Sequence, residues 1–422
     1  DGHMSNLSGF AAIRRALSNR NFGIFTLGNI VSHVGTWVQR LAVGWLAWKL
    51  TESGAWLGTV AFADLFPTVL LAPLTGAVAD RVDRKNLMIV TQILMLIQAG
   101  LLAWLTLAGL ITIEGLIVLA VVGGAVTSFN QPARLAIVPS LVAREDMASA
   151  IGINSLSFNL ARFVGPMIAG ALIAASGAGA AFAFNSLSFL AFLVALLMIR
   201  LEPAARGASG RAKEKGKITS EIGEGYRYAA GHPGIGPMLI ILSSVSILGR
   251  PYIELLPGFA GEVFKVDATG LAWLTSAVGL GAMLGGFWLA QRGAVVGLTS
   301  VAISSVAVLS SALIAFAATD IYWFALPCLM VTGFGMVIIG VGEQTLIQNA
   351  VASDMRGRVM GLYGMIGRGA PAIGALLMGV LASFFGFQWP VAIGAALLLI
   401  MWVWAFRRRH ELAAALEMES DI

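Results

Sequence analysis

A single cysteine, Cys328, excludes a disulfide framework within the chain, and only four histidines leave no Cys/His cluster for a metal. Charge is scarce as well. Asp, Glu, Lys and Arg make up 12% of the residues, against roughly 25% in a soluble domain. So few charges cannot clothe a water-facing globule, and the lack of long polar tracts excludes a disordered chain. No GxxxxGK[ST] phosphate loop is present, so no ATP drive is encoded, and no strand context supports a nucleophile elbow. What remains is apolar: 58% of 422 residues are hydrophobic, and at roughly 20 residues per bilayer-spanning helix that is material for about twelve spans. The composition indicates an all-α, polytopic integral membrane protein rather than an enzyme, with no cofactor and no metal.

Hydrophobic runs fall at roughly 21–47, 56–79, 86–108, 115–133, 148–175, 179–199, 236–260, 268–291, 296–318, 321–345, 357–383 and 388–406. An even number of spans puts both termini on one side. With the N-terminus cytoplasmic, 21 of the 27 Lys and Arg residues lie inside and only Lys49 and Lys265 lie outside; Arg40, Arg162, Arg250 and Arg368 fall within spans. That asymmetry is the positive-inside pattern. It predicts cytoplasmic termini, and it accounts for the net charge of +5 without nucleic acid. Asp1-Gly2-His3 reads as a tag remnant, and the stretch through Arg14, Arg15 and Arg20 lacks the order of a signal peptide.

The longest polar stretch, 201–235, separates a six-span bundle over 4–200 from a second over 236–409, followed by a tail over 410–422. The halves echo each other weakly. Arg162-Phe163-Val164-Gly165-Pro166 leads to Gly170-Ala171-Leu172, and Arg368-Gly369-Ala370-Pro371 leads to Gly374-Ala375-Leu376, both in the fifth span of a half. Matching placement of this kind points to a duplicated six-helix unit.

Gly76-Ala77-Val78-Ala79-Asp80-Arg81-Val82-Asp83-Arg84-Lys85 resembles the loop 2–3 signature of the major facilitator superfamily, G-x-x-x-D-R-x-G-R-R/K, with Asp83 in place of the second glycine. Gly165-Pro166 with Gly170 is similar to that superfamily's antiporter motif, reduced here to one later glycine. Pro132-Ala133-Arg134 and Arg356-Gly357-Arg358-Val359-Met360-Gly361 resemble its enterobactin-exporter and macrolide-efflux branch. The resemblance runs from Asn21 to Arg409 and implies twelve transmembrane helices in two pseudo-symmetric six-helix bundles. It also implies that spans one, four, seven and ten line a central cavity.

A loop with one acid and several bases at the membrane surface can latch one of two rocking states. Gly76, Asp80, Arg81, Arg84, Lys85 and Arg134 are the expected cytoplasmic gate, although the bases also serve simply as topogenic charges. Gly165, Pro166 and Gly170 offer close packing and a bend, as a pivot, a seal or ordinary small-residue contact.

Ionisable side chains within spans carry more information, because each costs about 2.5–3.5 kcal/mol at the bilayer centre on insertion scales. Arg40, Asp64, Arg162, Arg250, Glu254, Glu343 and Arg368 form this set, and all lie on spans expected to line or flank the cavity. They are candidates for proton coupling or substrate binding, with fixed salt bridges as the alternative. Arg250 and Glu254 are four residues apart and share a helix face; Pro251 and Pro257 beside them suggest a broken helix. Four bases against three acids favour an anionic or zwitterionic solute. His33, Trp37, Gln39 and Trp45 on span one are placed to stack on an aromatic substrate or to pack.

The expectation is a secondary active transporter, monomeric, exporting an amphipathic drug or metabolite of siderophore or macrolide type against protons by alternating access. A facilitator, an importer or a lipid flippase would share the fold, and a non-transporting membrane sensor is the remote alternative.

Overall fold

The computed structural model describes residues 9–79, 82–200 and 218–417. Asp80, Arg81 and most of the interbundle linker therefore lie outside the described residues, as do both extreme ends. Among the described residues there is no strand. The helices are α1 (Gly9–Ser18), α2 (Arg20–Thr51), α3 (Gly54–Ala79), α4 (Arg84–Leu107), α5 (Ile113–Ile137), α6 (Met147–Ser176), α7 (Ala178–Met198), α8 (Ile218–Gly231), α9 (Ile235–Ser244), α10 (Tyr252–Gly258), α11 (Ala268–Arg292), α12 (Leu298–Ala317), α13 (Tyr322–Ala350), α14 (Arg356–Phe385), α15 (Gln388–Arg407) and α16 (Arg409–Leu416).

Among the described residues, eleven stretches, from Gly54–Thr75 to Gln388–Arg407, are long and apolar enough to cross a membrane. α2 has 32 residues, which is about 48 Å of helix, but Asn29, Ser32, His33, Gln39 and Arg40 dilute its hydropathy. It completes the twelve long helices that the apolar runs predict. The seventh run is not one regular helix: α9 and α10 are joined by a π turn at Val245–Gly249, and a second π turn, Phe259–Val263, follows α10. Pro251 begins and Pro257 interrupts this segment. Proline removes an amide donor and crowds the preceding turn, which an extra residue per turn relieves.

α6 and α14, the fifth spans of the two halves, are each 30 residues long and end at glycines with almost the same left-handed backbone, Gly177 at φ 80° and Gly386 at φ 79°. A side chain at either glycine would be strained, so this repeated turn needs glycine twice. Arg162 and Arg368 stand 15 and 18 residues before their glycines, so the sequence echo is offset by nearly one helical turn from the repeated turn.

Packing sorts the chain into two units: Asp1–Ala42, Leu71–Ile111 and Val122–Lys213 form the first, and Val43–Leu70, Thr112–Val121 and Glu214–Ile422 the second. In the first, Phe22, Phe25, Met88, Ile137, Phe192 and Leu196 build a core, with Phe25 and Phe192 edge to face at 5.6 Å. α2 approaches α7 along Gly28 and Gly35, where an added methyl would strike Phe192 and Ser188. Side-chain amides bridge α7, α2 and α4: Asn185 Nδ2 donates to Gln39 Oε1 at 2.7 Å and Gln39 Nε2 to Gln98 Oε1 at 3.1 Å. In the second unit, Gly281 and Gly333 let α11 and α13 touch backbone to backbone. Phe259, Phe316 and Phe387 cluster beside the second π turn.

Candidate functional site

α2 carries the polar face of the first unit. From it, Ser32 and His33 meet Arg134, which stands near the end of α5: Arg134 Nη2 donates to Ser32 Oγ at 3.1 Å, and Nη1 lies 3.3 Å from His33 Nδ1. The guanidinium packs 4.8 Å from the Phe192 ring centroid and is 5% exposed. Its Nε has no hydrogen-bond partner. The sequence reading placed Arg134 in a gate with Asp80, which lies outside the described residues; what the structure describes is an arginine seated on α2.

One turn further along α2, Trp37 is the centre of an aromatic and cationic cluster. Phe158 of α6 meets His33 edge to face at 5.4 Å and Trp37 at 6.0 Å. The guanidinium carbons of Arg40 and Arg162 lie 5.4 Å and 5.7 Å from the Trp37 ring centroid, within cation–π range. Gly165 makes this closeness possible, since a Cβ there would fall 2.5 Å from that of Trp37. Pro166 and Gly170 follow it, buried in α6. Between α1, α2 and α6 runs an apolar cleft of about 850 Å³, lined by Leu17, Thr26, Ile30, Ile153, Leu156 and Leu160 among others. Of its lining, Ile30 precedes His33 by one turn of α2 and Leu156 precedes Phe158 by half a turn of α6; His33 and Phe158 themselves do not line the cleft. Arg15 of α1 is tied to Asp146, ahead of α6, at 2.7 Å, which holds α1 along the cleft.

The loop after α3 shows what its bases do locally. Gly76 lies in α3. Arg84 Nη1 donates to the Ala136 carbonyl in the last turn of α5 at 2.9 Å, and Lys85 Nζ to the Ile199 carbonyl closing α7 at 2.6 Å. Both cations sit at helix C-termini, where the helix dipole and free carbonyls favour positive charge. Asp83, the departure from the family signature, caps α4 by accepting from Asn86 N at 3.0 Å.

In the second unit, Arg250 follows the first π turn and donates from Nη1 to the Gly367 carbonyl of α14 at 3.4 Å. Glu254 is half-buried on α10, while Asp64 on α3 and Arg368 on α14 are exposed. Glu343, in α13, is fully buried, and neither carboxyl oxygen has a hydrogen-bond partner. Near it Tyr363 of α14 donates to the Gly340 carbonyl at 3.0 Å. The seven ionisable residues thus divide into Arg40 and Arg162 on Trp37, and Asp64, Arg250, Glu254, Glu343 and Arg368 in the second unit.

Two features escaped the sequence reading. The contact of His33 and Ser32 with Arg134 joins residues 102 apart, with no local signal beyond a histidine in an apolar run. The seam between α3 and α14 does have one, small residues four apart at Gly54 and Gly58 and at Ala375 and Gly379. There the backbones touch, and Ser53 Oγ lies 3.3 Å from Ser383 Oγ.

Among known proteins, the chain is 25% identical over 365 residues to a staphyloferrin A transporter of Staphylococcus aureus, covering 86% of this chain and 89% of the relative. It is 25% identical over 420 residues to an enterobactin exporter of Shigella flexneri, covering 94% of each. The fold matches that of a bacterial homolog of the human lysosomal transporter Spinster, solved inward-facing and occupied, with a TM-score of 0.71 at 14% identity over 93% of this chain and 96% of that one. The transmembrane secretion effector family model matches residues 8–421. From its first described helix to its last, the chain belongs to the transmembrane secretion effectors of the major facilitator superfamily, and it is a multi-pass membrane transporter of small molecules rather than an enzyme.

Proposed function

We propose that the chain is a proton-coupled exporter of an amphipathic, anionic or zwitterionic metabolite or drug, working as a monomer by alternating access in a bacterial inner membrane with both termini cytoplasmic. The observation that carries the reading is the apolar cleft of about 850 Å³ beside a cluster of arginines and aromatic rings. An apolar body fits the first and a polar or charged head fits the second. Relatives named as an exporter and a siderophore-type transporter support the direction and the class of substrate.

Glu343 supports proton coupling. A carboxyl with no bonded donor has nothing to hold its charge fixed, so gain or loss of a proton there changes the balance between two packings of the surrounding helices. Asp64 and Glu254 are further carriers in this reading, and Arg40, Arg162, Arg250 and Arg368 are their partners or the substrate's. Asp80 and Arg81, with Gly76, Arg84 and Lys85, form the cytoplasmic gate, and Gly165, Pro166 and Gly170 form a tight helix seam.

The test is transport in liposomes with a lumenal pH dye while anionic and cationic amphiphiles are added. Substrate-dependent proton flux is expected, lost in at least one of Asp64→Asn, Glu254→Gln and Glu343→Gln. Substrate movement with no proton flux, unchanged in all three, refutes the coupling. The apolar lining of the cleft also favours a second reading, a lipid flippase, for which fluorescent phospholipid would change leaflets in the same vesicles.

A further inference from the structure

We infer that Arg134, Ser32 and His33 form an oxyanion subsite that binds the carboxylate or phenolate of an aromatic substrate; this rests on the export reading and names the chemistry of its substrate head group. A guanidinium is always charged, and a buried charge persists in a fold only when something compensates it. Arg134 is 5% exposed, yet its contacts are a hydroxyl, an imidazole and the face of Phe192, all neutral partners or acceptors. No carboxylate of the described residues forms an ion pair with it.

The hydrogen-bond count points to a missing acceptor. Arg134 Nε has none. Ser32 Oγ, having accepted from Nη2, keeps its own proton to give. The His33 ring lies against Nη1 with Nδ1 at 3.3 Å and Nε2 at 3.5 Å, so one of its nitrogens accepts from the guanidinium and the ring brings no negative charge. An arginine fork edge with a hydroxyl donor beside it is the donor set that recognises a planar oxyanion. Aromatic walls stand next to it: Phe158 lies edge-on to His33, and Trp37 lies behind Phe158. An arene carrying a carboxylate can therefore bond to Arg134 while its ring packs on Phe158. Ile30, one helical turn before His33 on α2, lines the apolar cleft.

The experiment uses the full chain in lipid nanodiscs and radiolabelled salicylate, an aromatic carboxylate, with salicylamide as its neutral counterpart and empty nanodiscs subtracted. Saturable salicylate binding is expected, with salicylamide at least tenfold weaker. Arg134→Gln should weaken salicylate at least tenfold and remove the preference over salicylamide, while Arg134→Lys should keep part of that preference. Photolabelling of the unaltered protein with 4-azidosalicylate needs no variant to fold, and it should mark peptides of α2, α5 or α6. No saturable salicylate binding, equal binding of salicylamide, Arg134→Gln within twofold of the unaltered protein, or labelling confined to other helices would each overturn the subsite. If liposomes then transport a neutral amphiphile, the export reading survives that loss. If Arg134-dependent binding holds while no amphiphile is moved, the export reading falls and the subsite stands.

Discussion

Gly379 is one of the points where the backbones of α14 and α3 touch, and replacing it with alanine tests whether that seam opens during transport. An added Cβ would stand 2.9 Å from Gly58 Cα and 3.0 Å from its nitrogen, and closer still to the Gly54 carbonyl. These are backbone atoms, which cannot rotate aside. Ordinary contact begins at 3.4 Å, so the helices must part by about half an ångström or more, and overpacking of this kind costs about 1–3 kcal/mol. If the seam is closed in one transport state and open in the other, that cost falls on the closed state alone and shifts the balance by about 5- to 150-fold.

The readout is a disulfide between Ser53→Cys and Ser383→Cys, whose hydroxyls are 3.3 Å apart, in a Cys328→Ala background with no other thiol. Oxidation should join the pair quickly and stop transport, and reduction should restore it. Gly379→Ala should slow joining at least fivefold. Gly361→Ala, on the same helix with nothing within 4 Å of its added Cβ, should leave the rate unchanged. Equal rates in the two alanine variants, or full transport by the joined protein, would refute the reasoning.

Two further predictions concern groups outside the membrane spans. His232, between α8 and α9, accepts from Gly234 N and Ile235 N at Nδ1, at 3.1 Å and 3.2 Å, and burial holds its pKa below the ordinary 6.5. A lowered value means that the folded state prefers the neutral ring, so this contribution is complete above about pH 6.5 and is lost as pH falls through the lower folded value. The melting-temperature gap between the unaltered protein and His232→Phe should be wide at pH 7.5 and narrow at pH 5; a gap independent of pH contradicts it. Glu417 accepts from Gly297 N at 2.6 Å and Thr299 N at 2.9 Å, capping α12. Glu417→Ala should cost about 1–2 kcal/mol and Glu417→Gln about half as much, read by thermal unfolding, and an unchanged melting temperature in Glu417→Ala would show the cap to be dispensable.

The all-α transmembrane architecture was legible because bilayer thickness fixes helix length and composition is read one residue at a time. α2 shows the limit of that reading: its length is right, but the polar residues that make it useful dilute its hydropathy. The π turns had a partial signal in Pro251 and Pro257, which say that the helix must yield without saying how. Asp83 departs from the turn signature and serves as a helix cap, since an aspartate can accept the amide that a glycine would leave to water. For Arg134 the sequence offers only its neighbours in the chain, which associate it with a gate. Its described contacts, Ser32 and His33, lie 102 and 101 residues away, and no local pattern encodes a pairing at that range.

The two π turns around α10 leave a mechanical mark. Each takes in one residue more than an α-helical turn, so each sets the helix back by on the order of 100° of phase and 1.5 Å of axial rise. Between Ile235 and Val263 the helix thus stores two such steps of slack. A wheel drawn through the whole segment would put Ser243 and Phe264 on wrong faces relative to each other. Moving the first turn along the chain past Glu254 would rotate the stretch it crosses, Arg250 and Glu254 included, as a block, without breaking the helix at either end.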